Sequence, residues 1–344
     1  METINWGIIG LGDIAQKFSE GFAETDNAKL LAVASTNYEK LSKFKKKFFI
    51  DDKYLFNNYD QILNCKDVDI IYIALPNSLH HEWVIKAIKN KKNVLVEKPA
   101  TLNLLEAQDI QKNLNGTNLF FGEAFMYRYY PQLNLILENI KNNEIGNLIS
   151  MKSFFGLNLL TKKKLIFFNK KKKINIENRK FNKKLGGGCI LDLGCYTSSL
   201  SLLVGSIIKK NNLQNLKLTK IKKEIGETGV DIDAFGELNF FNGFKSEIHA
   251  SFKNHLGHSS VIIGEKGSII INNPWFNGQS LIKVKGKSDR ILDFDKKKNI
   301  YSYQIKKISK NLTDGIFYPN FPAMNLNETL LNMKILDQWS NEPK

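Results

Sequence analysis

Residues 4–15, Ile4-Asn5-Trp6-Gly7-Ile8-Ile9-Gly10-Leu11-Gly12-Asp13-Ile14-Ala15, run an apolar strand directly into G-x-G-x-x-A and on into an amphipathic stretch. Each small residue has a separate task. Gly10 permits the tight turn, Gly12 lets a pyrophosphate approach the backbone, and Ala15 lets the next helix pack closely on the strand. That helix turns free N–H groups and the positive end of its dipole toward phosphate, and Leu11, Asp13 and Ile14 complete the loop. In isolation the pattern also describes a glycine turn with no ligand; its place at the head of an alternating chain favours a dinucleotide.

The alternation continues outward from this turn. Strand patterns at 29–35, 68–76, 93–99 and 118–125 are separated by helical patterns at 13–22, 38–48, 59–64, 78–90 and 103–113. Such alternation predicts an α/β fold, a doubly wound parallel sheet over residues 1–125. From 126 the texture changes to a helix (131–142), a strand (147–155), a Lys-rich irregular stretch, a glycine-introduced helix (188–204) and alternating strands between about 214 and 285. Hairpins are expected about Gly243 and about Glu265-Lys266-Gly267. Residues 126–344 therefore read as a second α+β domain with a large, mostly antiparallel open sheet. Helices at 299–313 and 324–340 close the chain, the last expected to pack back near the first domain.

Composition narrows the function. With 344 residues, 42% hydrophobic and 24% charged, the chain is globular in character, and disorder and fibre are excluded. No apolar run is read as a membrane span, and the first residues lack a leader pattern. Cys65, Cys189 and Cys195 form no C-x-x-C pair and leave an odd thiol, which suits a reducing compartment, so the expected location is cytoplasmic. A net charge of +16 raises nucleic acid or an anionic membrane as partners. Only three of the 50 basic residues are Arg, the side chain suited to bidentate phosphate and guanine contacts, so neither partner is expected. The run at 161–173 is read as a solvated loop, with an acidic partner as the alternative.

The remaining motifs lie where such folds bind ligands, at the carboxyl ends of the strands. After the second strand, Ser35-Thr36-Asn37 stands where NAD-specific folds place a carboxylate; with Lys40 one turn on, the reading leans to NADP over NAD. Leu75-Pro76-Asn77 and His80 follow the strongest strand. His80 is read either as a ribose hydrogen-bond donor or as a helix cap. Glu97-Lys98-Pro99 ends the next strand, where Lys98 is either a cation polarising a substrate oxygen or a snorkelling surface lysine. In Gly186-Gly187-Gly188-Cys189-Ile190-Leu191-Asp192-Leu193-Gly194-Cys195-Tyr196, Asp192 and Tyr196 are expected on one helical face as an i,i+4 pair. A neighbouring ammonium favours the phenolate of a tyrosine and suits it to proton transfer, whereas the plainer reading is a first-turn Asp beside a half-buried Tyr. The two nearby thiols have no histidine partner, so no metal is expected.

G-x-G-x-x-A, P-N-x-x-H, E-K-P, G-E-A-F-M-Y-R-Y-Y-P (122–131) and G-G-G-x-x-x-D-L-G-x-Y, in this order, resemble the glucose-fructose oxidoreductase, inositol dehydrogenase and rhizopine-catabolism (Gfo/Idh/MocA) family over nearly the whole chain. The resemblance implies hydride transfer between NAD(P) and a hydroxyl or carbonyl carbon of a sugar, polyol or cyclic diol. It places the catalytic lysine on Lys98 and the aspartate on Asp192, makes Arg128 a substrate-side donor, and implies a homodimer or homotetramer through the second sheet. Tyr196, where many members carry His, is similar to the branch of dimeric dihydrodiol dehydrogenase, D-xylose 1-dehydrogenase and glucose-fructose oxidoreductase. In this reading Tyr196 exchanges the proton, while Lys98 holds the oxygen and Asp192 orients substrate and lysine. Alternatives are a sugar-nucleotide or amino-sugar oxidoreductase of the same family, or an NAD(P)-binding regulator without turnover.

Overall fold

The computed structural model describes residues 3–165, 168–208, 213–241, 243–257, 259–276, 280–292 and 299–341. The chain divides into two compact units: Met1–Tyr130 with Lys296–Leu330, and Pro131–Asp295 with Leu331–Lys344. The expected break at 125/126 thus falls at 130/131, and a later segment returns to the first unit.

In the first unit strands and helices alternate as β1 (Ile4–Ile9), α1 (Asp13–Glu20), β2 (Ala28–Ala34), α2 (Tyr38–Phe48), β3 (Leu55–Phe56), α3 (Tyr59–Asn64), β4 (Ile70–Ile73), α4 (His80–Lys89), β5 (Asn93–Val96), α5 (Leu104–Leu114) and β6 (Phe121–Glu123). The six strands form one sheet in the order β3-β2-β1-β4-β5-β6, every pair parallel. Helices cover both faces of such a sheet, so its strands are apolar throughout rather than alternating. Ile8, Ile9, Ile71, Tyr72, Val94 and Leu95 are accordingly fully buried.

The second unit contains α6 (Pro131–Lys141), β7 (Leu148–Gly156), β8 (Thr161–Leu165), β9 (Phe168–Lys171), a π turn at Ile190–Gly194, α7 (Cys195–Ser206), β10 (Lys217–Ile225), β11 (Asp231–Asn239), β12 (Lys245–Ser251), β13 (Ser259–Gly264), β14 (Gly267–Asn272), β15 (Ser280–Val284) and β16 (Arg290–Leu292). Eight strands form a sheet in the order β10-β11-β12-β7-β13-β14-β15-β16, antiparallel except where β12 runs parallel to β7. Burial alternates residue by residue along β11, β12 and β13, because α7 packs on one face only. Both expected hairpins are present. The Lys-rich stretch differs from expectation: β8 and β9, adjacent in sequence, pair as an antiparallel ribbon, which a run of like charges does not announce.

Residues Lys183–Ser206 are long and apolar enough to span a bilayer, although the sequence reading named no such run. Its apolar 18-residue window is 89% buried within the protein, which accounts for its composition. Residues 296–330 carry α8 (Ile300–Thr313) and the start of α9 (Leu326–Asn341). Trp6 Nε1 donates to Ser309 Oγ at 2.9 Å, and Tyr301 meets Phe18 edge-on, so α8 is built into the core of the first unit. The expected return of the terminal helix is divided: α9 begins in the first unit and ends in the second, where Trp339 is fully buried and donates to the Phe235 carbonyl.

Candidate functional site

The glycine turn has the form a dinucleotide requires. Gly10 adopts φ +88°, and a side chain there would press on the Ala74 carbonyl oxygen, so only glycine closes the turn. A Cβ at Gly12 would meet nothing within 4 Å: the space above it is an open cradle. Gly12 also caps α1 without any side-chain hydrogen bond, which leaves first-turn N–H groups for an anion. Ala15 is fully buried against the sheet. These residues fit the pyrophosphate of NAD(P).

At the tip of β2, Ser35 is buried and its Oγ accepts the Asn37 N–H at 3.1 Å. Asn37 in turn caps α2 through the Lys40 N–H. Ser35 therefore shapes the loop, while Thr36 and Lys40 are exposed at its tip, as are Asn37, Tyr38 and Glu39 between them.

The loops after β4 and β5 come together. Leu75 lines the Gly10 turn, and Asn77 is buried in a short turn closed by the Leu79 N–H to the Pro76 carbonyl. Glu97 accepts from the Tyr72 hydroxyl and, at 3.3 Å, from the Lys98 N–H. Lys98 itself is half-buried at the carboxyl edge of the sheet. His80 departs from the ribose-donor reading. It is fully buried, with Nδ1 2.8 Å from the Pro99 carbonyl and Nε2 2.8 Å from the Leu75 carbonyl, so its ring ties two loops together.

Arg128 departs as well. Its side chain has no exposed surface; Nε donates to the Tyr127 hydroxyl at 3.0 Å, and Nη1 to the Pro322 carbonyl at 3.0 Å and Glu328 at 3.3 Å. A guanidinium held on these sides organises the end of the first unit rather than meeting a substrate. A lone Arg in an aromatic motif gave no means of telling these roles apart.

Asp192 lies in a π turn and Tyr196 in the first turn of α7, rather than together in the expected α-helical register. The Cys195 N–H reaches back to the Ile190 carbonyl, and α7 starts only at Cys195. Such one-turn widenings concentrate at functional sites. Asp192 is 5% exposed and stands 3.4 Å from both Arg179 Nη1 and Lys180 Nζ. The glycine run explains their approach, since the Gly188 N–H donates to the Lys180 carbonyl and the Gly187 N–H to the Asn182 carbonyl. Tyr196 lies in an aromatic wall, 5.3 Å from the Trp275 ring and 5.6 Å from the Phe155 ring. Trp275 is some eighty residues further along the chain, and no spacing rule links the two. Burial and then Asp231 push the Cys189 thiol well up, which leaves it an inert packing group.

This chain belongs to the Gfo/Idh/MocA family: the family's oxidoreductase domain with the NAD-binding Rossmann fold matches residues 4–125, and its C-terminal domain matches residues 135–270. It is similar to trans-1,2-dihydrobenzene-1,2-diol dehydrogenase of Xenopus tropicalis, 24% identical over 97% of this chain and 96% of that protein. Among solved structures it resembles the aldose-aldose oxidoreductase of Caulobacter crescentus, with a TM-score of 0.83, 18% identity and coverage of 98% of this chain and 96% of the other. It also resembles a 3-ketoreductase from Actinomadura kijaniata in complex with NADP and TDP-benzene, with a TM-score of 0.81, 19% identity and coverage of 98% and 97%. The chain is an NAD(P)-dependent oxidoreductase.

Proposed function

We propose that this oxidoreductase transfers hydride between NAD(P) and a hydroxyl or carbonyl carbon of a sugar, polyol or cyclic diol. The observation that carries the substrate class is the pair of Asp192 in the π turn and Tyr196 at the start of α7, and the likeness to a dihydrodiol dehydrogenase and an aldose-aldose oxidoreductase supports it. An acid with a phenol suits the hydroxyls of a sugar, polyol or diol. Bound NAD(P) supplies the hydride donor or acceptor. Tyr196 Oη moves the proton of the reacting oxygen, Lys98 Nζ holds that oxygen, and Asp192 orients the substrate. The exposed Thr36 and Lys40 support a preference for NADP over NAD.

Arg179 and Lys180 beside Asp192 favour a second reading, a phosphorylated or nucleotide-linked sugar. A panel of aldoses, polyols, cyclic diols, sugar phosphates and nucleotide sugars, assayed with each dinucleotide at the reduced-nicotinamide band, tests both. Turnover of neutral rings supports the first reading and turnover confined to anionic sugars the second. Binding of dinucleotide with no turnover anywhere in the panel points to a regulator.

We further propose a homo-oligomer joined through the open face of the eight-stranded sheet, where Phe154, His249 and Phe235 lie ring to ring. A strict monomer by light scattering at micromolar concentration counts against it. The three free cysteines support a cytoplasmic location, which fractionation of the source cells tests.

A further inference from the structure

Two buried polar side chains outside the proposed chemistry converge on the backbone that follows Lys98. The Pro99 carbonyl oxygen faces His80 Nδ1 at 2.8 Å, and the other ring nitrogen, Nε2, faces the Leu75 carbonyl at 2.8 Å. The same peptide group is held from its other side: Glu123, 2% exposed at the end of β6, accepts the Ala100 N–H on Oε1 at 3.0 Å. Its Oε2 accepts the Thr329 hydroxyl at 2.9 Å, so both carboxylate oxygens are used within the first unit. Burying an imidazole and a carboxylate is costly, and a loop at a sheet edge is ordinarily satisfied by water. Burial lifts the Glu123 carboxyl to about 7, against the bonds from Thr329 and Ala100 and the positive charges of Arg128 and Lys98.

We propose that His80 and Glu123 are positioning residues that clamp the Pro99 carbonyl and the Ala100 N–H, and thereby fix the direction in which Lys98 leaves its turn. The inference rests on the reading of Lys98 as the group that holds the reacting oxygen. A lysine stem has four rotatable bonds, so the protein controls its head first by immobilising its base. A displacement of about 1 Å in such a group costs on the order of a hundredfold in rate.

The test uses the full-length chain and two readouts. Amide hydrogen exchange at Ala100 reports the clamp directly: Glu123→Leu is expected to speed it by about tenfold or more, and Glu123→Gln, which keeps an acceptor oxygen, to leave it near wild type. In steady-state kinetics His80→Leu and Glu123→Leu are expected to lower kcat by about tenfold or more with dinucleotide Kd nearly unchanged. In a Lys98→Ala background the same substitutions are expected to add almost nothing. Where a leucine variant does not fold, His80→Gln and Glu123→Gln carry the same comparison, with a smaller loss expected. Unchanged kcat in folded variants, or a full extra loss on top of Lys98→Ala, overturns the proposal. Wild-type turnover by Lys98→Ala overturns the reading beneath it. The two failures are distinct, because in the first Lys98→Ala remains slow.

Discussion

The Asp231 carboxylate occupies the space that a side chain at Gly188 would need, and it accepts the Ile190 N–H at 2.6 Å from the same position. One acidic residue on β11 thus sets the entry to the π turn that carries Asp192 and leads into α7 and Tyr196. Gly188 also sits at φ +119°, outside the range of other residues. Gly188→Ala is expected to lose about 1–3 kcal/mol of stability from strain and collision together. Urea unfolding monitored by tryptophan fluorescence measures it, and a wild-type midpoint would show that the turn relaxes freely.

Gly12→Val fills the open cradle above the glycine turn without touching the core. The expected result is a folded protein with affinity for both NAD and NADP lost by at least about a hundredfold, since the pyrophosphate and the new side chain compete for one space. Titration by nicotinamide fluorescence reads the Kd; unchanged binding removes the turn from the site.

Lys40→Ala is expected to weaken NADP by about three- to tenfold and NAD hardly at all, the usual weight of one exposed ion pair with a phosphate. Equal losses for the two dinucleotides would remove Lys40 from recognition of the 2′-phosphate.

Tyr196→Phe keeps the ring in its edge-on and tilted contacts with Phe155 and Trp275 and deletes only the hydroxyl. Cofactor binding is expected to be intact while kcat falls by about 10²- to 10⁴-fold, the range for general acid–base groups. Near-normal turnover would assign the proton to another residue.

Glu123 titrates at about 7 in the folded chain against its ordinary 4.5, chiefly because it is buried. The folded state therefore holds this proton more tightly than the unfolded state. Its contribution to stability is complete below about pH 4.5 and is lost as pH rises through 7. Glu123→Gln removes the titration, so the stability of the variant relative to wild type is expected to improve between pH 5 and pH 8, by on the order of 3 kcal/mol at most. Denaturant titrations of both proteins at the two pH values give the difference directly; a constant difference would place the proton elsewhere.

Local pattern was enough for the parallel sheet, both hairpins and the glycine turn, because each depends on neighbours in sequence. Lys98 stood out for the same reason, at the end of a buried strand. Contacts that close over long separations left no such trace: Asp231 on the π turn, Trp275 on Tyr196, and Glu328 on Arg128. His80 was singled out by position, yet its use as a tie between Leu75 and Pro99 depends on two loops meeting. The π register of 190–194 was hidden because one added residue in a turn barely alters an apolar pattern.

The return of residues 296–330 to the first unit bears on how the chain is made. Trp6 finds its hydrogen-bond partner only at Ser309, and the clamp on Ala100 is completed only at Thr329. During synthesis the N-terminal sheet emerges first but lacks its last helix until the ribosome has added some two hundred residues, a delay of about ten to forty seconds at ordinary elongation rates. The second unit's sheet is translated within that interval, so the half of the protein that is made first is the half that must wait for its own missing piece.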